Sequence, residues 1–237
     1  MTSPLPLVLA SGQLLTADVW APQIARFSAE RAVLHATHTL DDTIAGMAAR
    51  LLAEAPPRFA LAAHAMGGFT AFEVMRQAPE RVAKLALLST LATADGPAQT
   101  ARRQGYIQLV QNGQFDQVAE ERIPMLLSPS RRDDPDLVAR VRRMAADTGA
   151  ETFLRQQRAI MGRIDSRPSL SAITAPTVII WGDADGIATR AHQDDIHAAI
   201  AGSQLDILAG AGHLITLERP DEVNALLAKW LSRSEPH

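Results

Sequence analysis

The chain has 237 residues, 47% of them hydrophobic, and a formal net charge of −3. That length is enough for a full core in one domain, and the slight acidity leaves no electrostatic footprint for nucleic acid or anionic lipid. With no cysteine in the sequence, disulfides, thiolate metal sites and a cysteine nucleophile are excluded.

In chain order, Met1-Thr2-Ser3-Pro4 lacks a basic region, and the apolar run Leu5–Ala10 is too short for a signal core or a membrane span. A soluble, cytoplasmic protein is therefore expected. Pro6–Ala10, Ala32–Ala36, Phe59–Ala63, Leu85–Ser89, Thr177–Trp181 and Gln204–Leu208 are short apolar runs bounded by turn residues. Buried parallel strands read this way, because helices cover both faces and polar alternation is lost. Ile44–Ala55, Gly67–Gln77, Arg190–Ala201 and Val223–Leu231 predict helices, the last with Pro220 suited to its first turn and Asp221 and Glu222 at its positive end. This alternation predicts a doubly wound, mostly parallel α/β sheet.

From about Gln99 to Asp165 there is no strand signal, only helical periodicity interrupted by Gly113, Pro124, Pro129, Pro135 and Gly149. Val138, Val141, Met144 and Ala145 share one face; Phe153, Gln157 and Ile160 follow similar spacing. We read residues 96–165 as a helical cap over the carboxyl edge of the sheet, where open α/β sheets bind ligands. Residues 1–95 and 166–237 then form the core. The cap holds eleven arginines and no lysine against nine acidic residues, an excess of two charges. Solvated mixed-charge faces are the expected reading, rather than a carboxylate clamp.

Between the strand ending at Ala63 and the helix from Gly67 the turn has hardly a residue to spare. An apex residue in so tight a strand–turn–helix is forced into strained backbone angles, and its neighbours two before and two after must be small. Those neighbours are Ala63 and Gly67, and the apex is Ala65. The amide after it lies at a helix N-terminus, well placed to stabilise an oxyanion. Alanine itself has no chemistry to offer there.

The stretch A-H-A-M-G-G over residues 63–68 resembles the elbow of the α/β-hydrolase family, G-x-S-x-G, with Ala65 at the serine position. Other landmarks follow in the family's order. Pro6–Gly12 looks like the strand ending in H-G, with Ser11 where histidine is usual. Ala78-Pro79-Glu80-Arg81-Val82 looks like the joint after the elbow helix. Gly182-Asp183-Ala184-Asp185-Gly186-Ile187 resembles the segment carrying the acid, and Gly212-His213-Leu214 the histidine loop before the final helix.

The resemblance implies a triad of the residue at position 65, His213 as base and Asp185 as its orienter, with backbone N–H groups of Gln13 and Met66 as oxyanion donors. Asp183 is the alternative orienter, or a loop cap. His64 is expected to pack or hydrogen-bond, and Met66 and Phe69 to line the pocket or core. His192 and His197, five apart on one helix, point in different directions, so no metal is expected; nothing demands a cofactor. Ser11 and Ser89 have no base that the sequence places beside them, and Thr70, further along the elbow helix, is not expected to reach the apex.

The implied activity is acyl transfer on a small-molecule carboxylic ester or lactone, with carbon–carbon hydrolysis by the same triad as an alternative. The cap's Leu, Ile, Met and Val content suggests an apolar substrate. An acyl-enzyme cannot form with Ala65. Either this is an enzyme inactivated by a serine-to-alanine change that holds substrate uncleaved, or it is a natural ligand-binding protein on a hydrolase fold. The retained Asp185 and His213 favour the first.

Overall fold

A computed structural model describes residues 4–233; Met1–Ser3, part of the N-terminal stretch read above, lie outside them. In chain order its strands and α-helices are β1 (Leu7–Ala10), α1 (Ala21–Phe27), β2 (Val33–Ala36), α2 (Ile44–Glu54), β3 (Phe59–His64), α3 (Met66–Gln77), β4 (Val82–Leu88), α4 (Pro97–Gln111), α5 (Phe115–Leu126), α6 (Pro135–Thr148), α7 (Ala150–Met161), β5 (Thr177–Gly182), α8 (Arg190–Ala199), β6 (Gln204–Leu208), α9 (Ile215–Glu218) and α10 (Pro220–Leu231). The strands form one parallel sheet in the order β2-β1-β3-β4-β5-β6. The chain winds to one side of β1 for β2 and then to the other for β3, so a crevice opens at the carboxyl ends of β1 and β3.

The predicted loss of alternation has a direct counterpart in packing. Leu7 and Leu9 of β1, Ala60 and Ala62 of β3, and Val178 and Ile180 of β5 pack into one cluster with Phe27 of α1 and Trp230 of α10. Their neighbours Val8, Ala10, Leu61, Ala63 and Ile179 pack on the opposite face with Leu51 of α2 and Phe72 of α3. Every residue of β3 and β4 is buried. A central strand therefore has to be apolar at every position.

Boundaries moved where backbone geometry overrides pattern. β4 begins at Val82, earlier than predicted, and ends at Leu88 because Ser89 turns to φ +47°. Helix α5 runs through Pro124 instead of breaking there. Proline removes a hydrogen bond only to the carbonyl four residues back, here exposed Glu120, and the helix ends two residues later. Pro135 opens α6, capped by Asp134, whose side chain accepts from the N–H groups of Asp136 and Leu137.

The four helices α4–α7 lie between β4 and β5 in the chain, as expected of an inserted cap. Their apolar stripes face inward. Leu137, Val141 and Met144 join the cluster beneath α1 and α10, and Phe153 packs with Leu14 of the loop after β1.

Candidate active site

The turn after β3 has the strain anticipated for it. Ala65 adopts φ +53°, ψ −115°, a conformation that residues with a Cβ avoid. Closeness of the chain enforces it. A Cβ on Gly67 would fall under 3.0 Å from the backbone carbonyl of Ala10, and one on Gly68 would strike the Thr90 side chain. Thr90 Oγ1 also donates to the Ala65 carbonyl at 2.8 Å. On the other side, a Cβ on Gly12 would come within 2.9 Å of the Ala65 Cβ, so the loop after β1 lies directly over the apex.

Among the described residues, two further non-glycine positions have positive φ, Leu14 and Ser89. All three follow carboxyl ends of central strands, so the backbone strain is concentrated at the crevice.

Behind the apex, His213 Nδ1 lies 2.8 and 3.0 Å from the two carboxylate oxygens of Asp185. Asp185 also accepts from the N–H groups of Ile187 (2.7 Å) and Ala188 (3.0 Å), which fixes its plane. A carboxylate only accepts, so Nδ1 carries the imidazole proton and Nε2 presents a lone pair. Both side chains are almost wholly buried. Asp183 is engaged elsewhere, accepting from Gly210 N–H at 2.6 Å as a loop cap.

The histidine loop is held from two directions. His64 Nε2 donates to the His213 carbonyl at 2.8 Å, and their rings are 5.1 Å apart. Burial, and then the nearby His213, drive His64 down to about 3, so it is neutral at ordinary pH. From the cap side, the Leu126 carbonyl accepts from His213 N–H (3.0 Å) and Leu214 N–H (3.2 Å). The buried Glu218 carboxylate accepts from Ser128 N–H at 3.3 Å and Gly212 N–H at 3.2 Å. Cap and histidine loop are thus joined by main-chain hydrogen bonds from Leu126 and by the Glu218 carboxylate that bridges them.

Ala65, Met66, Gln13 and His213 line one compact cavity of about 80 Å³, with Phe69 on its wall. A roomier cleft of about 390 Å³, lined by Ile44, Glu73 and Arg158, shares Phe69 and Leu91 with it but contains none of those first four residues. Of these two cavities, the smaller is the one lined by the apex residue, by Gln13 and Met66, and by the histidine paired with Asp185.

Of the other candidates, Ser11 bonds His35 at 2.7 Å and is not on the cavity wall. Ser89 lines the cavity, with its Oγ buried and unpartnered. Thr70 lies inside the core. His192 caps α8 through Thr189, and His197 bonds Ser203. Among the described residues, no group of three or more His, Asp or Glu is gathered as metal ligands, and no helix is long and apolar enough to cross a membrane.

Two features escaped the sequence reading. Glu218 bridges segments that only folding brings together. Arg122 is buried on α5 and lines the cavity. A signal for it existed, since Val118, Arg122 and Leu126 repeat every four residues and place the arginine on the helix's buried stripe.

Known proteins match this architecture. The sequence pattern described as the alpha/beta hydrolase family matches residues 3–226. The chain belongs to that family. A pimeloyl-[acyl-carrier protein] methyl ester esterase of Aliivibrio salmonicida is 26% identical over 95% of this chain and 91% of its own length. The dihydrolipoyllysine-residue acetyltransferase component of the acetoin cleaving system of Cupriavidus necator is 30% identical over 79% of this chain, which spans only 50% of that longer protein. Among solved structures, a thermophilic esterase from Thermogutta terrifontis superposes with a TM-score of 0.88 at 26% identity, covering 98% of this chain and 90% of that one.

Proposed function

We propose that this is the scaffold of a serine-type acyl hydrolase acting on a small carboxylic ester or lactone, and that Ala65 makes the present chain a binding-competent form without turnover. The carrying observation is the strained elbow of Ala65 opening onto the same cavity as His213, whose Nδ1 proton is fixed on Asp185. In the proposed division, residues 96–165 cap a core of 1–95 and 166–237.

With serine at position 65, His213 Nε2 takes the hydroxyl proton as Oγ attacks the carbonyl carbon. The carbonyl oxygen, negative in the tetrahedral intermediate, accepts from the N–H groups of Gln13 and Met66. Collapse expels the alcohol, which leaves with the proton from His213, and an acyl-serine remains. Water, deprotonated by His213, then releases the acid and regenerates the hydroxyl. In the alanine chain the first bond cannot form.

The test is Ala65→Ser. It is expected to give a burst with a small aryl ester and covalent labelling by a fluorophosphonate probe. A folded variant with neither would sink the acyl-transfer reading. It would favour the second reading, a ligand-binding protein on a hydrolase fold, for which the missing nucleophile is the supporting observation.

A further inference from the structure

Most cap arginines fit solvated mixed-charge faces. Arg131 pairs with Asp134, Arg140 with Asp18, Arg142 with Glu120 and Arg158 with Asp42, all at least partly exposed. Arg163 is buried but neutralised by Asp95, which also binds Arg103. Arg122 fits neither pattern.

Its side chain is buried, and among the described residues it has no carboxylate partner. One of its five donors is used, with Nη1 donating to Oε1 of Gln13, a neutral group. Gln13 Nε2 in turn has no acceptor. Burial, with Arg103 and Arg102 nearby, draws the guanidinium down to about 10, which still leaves it charged at neutral pH.

A buried cation without a counter-ion is costly, and an anionic ligand in contact with it would remove that cost. The ligand side is visible here. Arg102, Arg103 and Arg122 all line the cavity that holds Ala65 and His213, and no aspartate or glutamate does. Two acids touch lining residues from outside the cavity and both are already engaged, Asp185 with His213 and Asp95 with Arg103 and Arg163. The planar guanidinium fork matches a carboxylate bidentately.

We propose that the acyl substrate carries a free carboxylate, and that Arg122, steadied by Gln13, is the residue that binds it. This rests on the acyl-transfer reading of the same cavity, and it replaces the apolar substrate expected from cap composition. One glutamine side chain separates the Gln13 N–H from Arg122, so the spacer between the scissile carbonyl and the carboxylate is a few atoms. A small cavity suits such a molecule.

The experiment needs no turnover. Binding of monomethyl glutarate and of dimethyl glutarate to the chain as it stands is measured by calorimetry. The half-ester is expected to bind at least tenfold more tightly. Arg122→Gln should reduce that ratio to near one. Arg122→Lys, which keeps the charge but loses the fork, should reduce it at least threefold and guards against misfolding of the glutamine variant. Equal affinities in the parent, no detectable binding of either probe, or a ratio untouched by folded Arg122 variants would each overturn the proposal. Hydrolysis by Ala65→Ser is scored separately. An Arg122-dependent ratio without hydrolysis removes the acyl-transfer reading alone, and hydrolysis of aryl esters without the ratio removes the carboxylate site alone.

Discussion

Acidification should unfold this protein through histidines that are buried neutral, and the size of the effect can be worked out for His64. Its folded value is about 3, against 6.5 for the unmodified side chain. As pH falls below 6.5 the unfolded chain binds a proton that the folded chain refuses, so stability is full above 6.5 and lost on the way down to about 3. Each pH unit in that window costs about 1.4 kcal/mol, or about 3 kcal/mol by pH 4.5. His38, held at about 4 by burial, adds a loss of similar slope between 6.5 and 4.

The assay is urea denaturation of the parent and His64→Gln from pH 7.5 to 4.5. Glutamine keeps an N–H for the His213 carbonyl but cannot titrate. Carboxylate contributions are common to both chains and cancel in the difference. The stability of His64→Gln relative to the parent should therefore rise by about 3 kcal/mol across the range. A difference that stays constant with pH would refute the argument, because it would mean that His64 is not held neutral by the fold.

Gly67→Ala places a methyl group against the immovable carbonyl of Ala10, so a loss of about 3 kcal/mol and a fall in Tm of roughly 6–12 °C are expected in calorimetry. Glu218→Gln replaces an acceptor of two backbone N–H groups with a half-donor amide. Faster hydrogen exchange at Ser128 and Gly212, with a stability loss of about 2 kcal/mol, should follow, and unchanged exchange there would show that the carboxylate does not hold the two segments together.

How much was legible in the sequence depended on whether a structural demand was local. β3 and β4 are buried on both faces, so every residue announces the strand; the edge strand β6, half-exposed, could be placed only from its flanking turns. The elbow was readable because one strained backbone position dictates small residues within four positions of one another. The Asp185–His213 pair, 28 residues apart, came from resemblance to a family, since no spacing rule joins them. Arg122 was lost in the opposite way. Counting arginines against acids averages over the cap, whereas what distinguishes this one is a neutral partner 109 residues away. Pro124 misled because its usual effect on a helix is small at the last turn.

The double tether on His213 has a mechanical consequence. The peptide that positions the imidazole is gripped by the core through His64 and by the cap through the Leu126 carbonyl and Glu218. Any hinge motion that lifts residues 126–128 to widen the entrance must break those cap-side bonds and loosen the ring against Asp185. A ligand that entered by that route would therefore meet an imidazole without its cap-side anchor until residues 126–128 closed again.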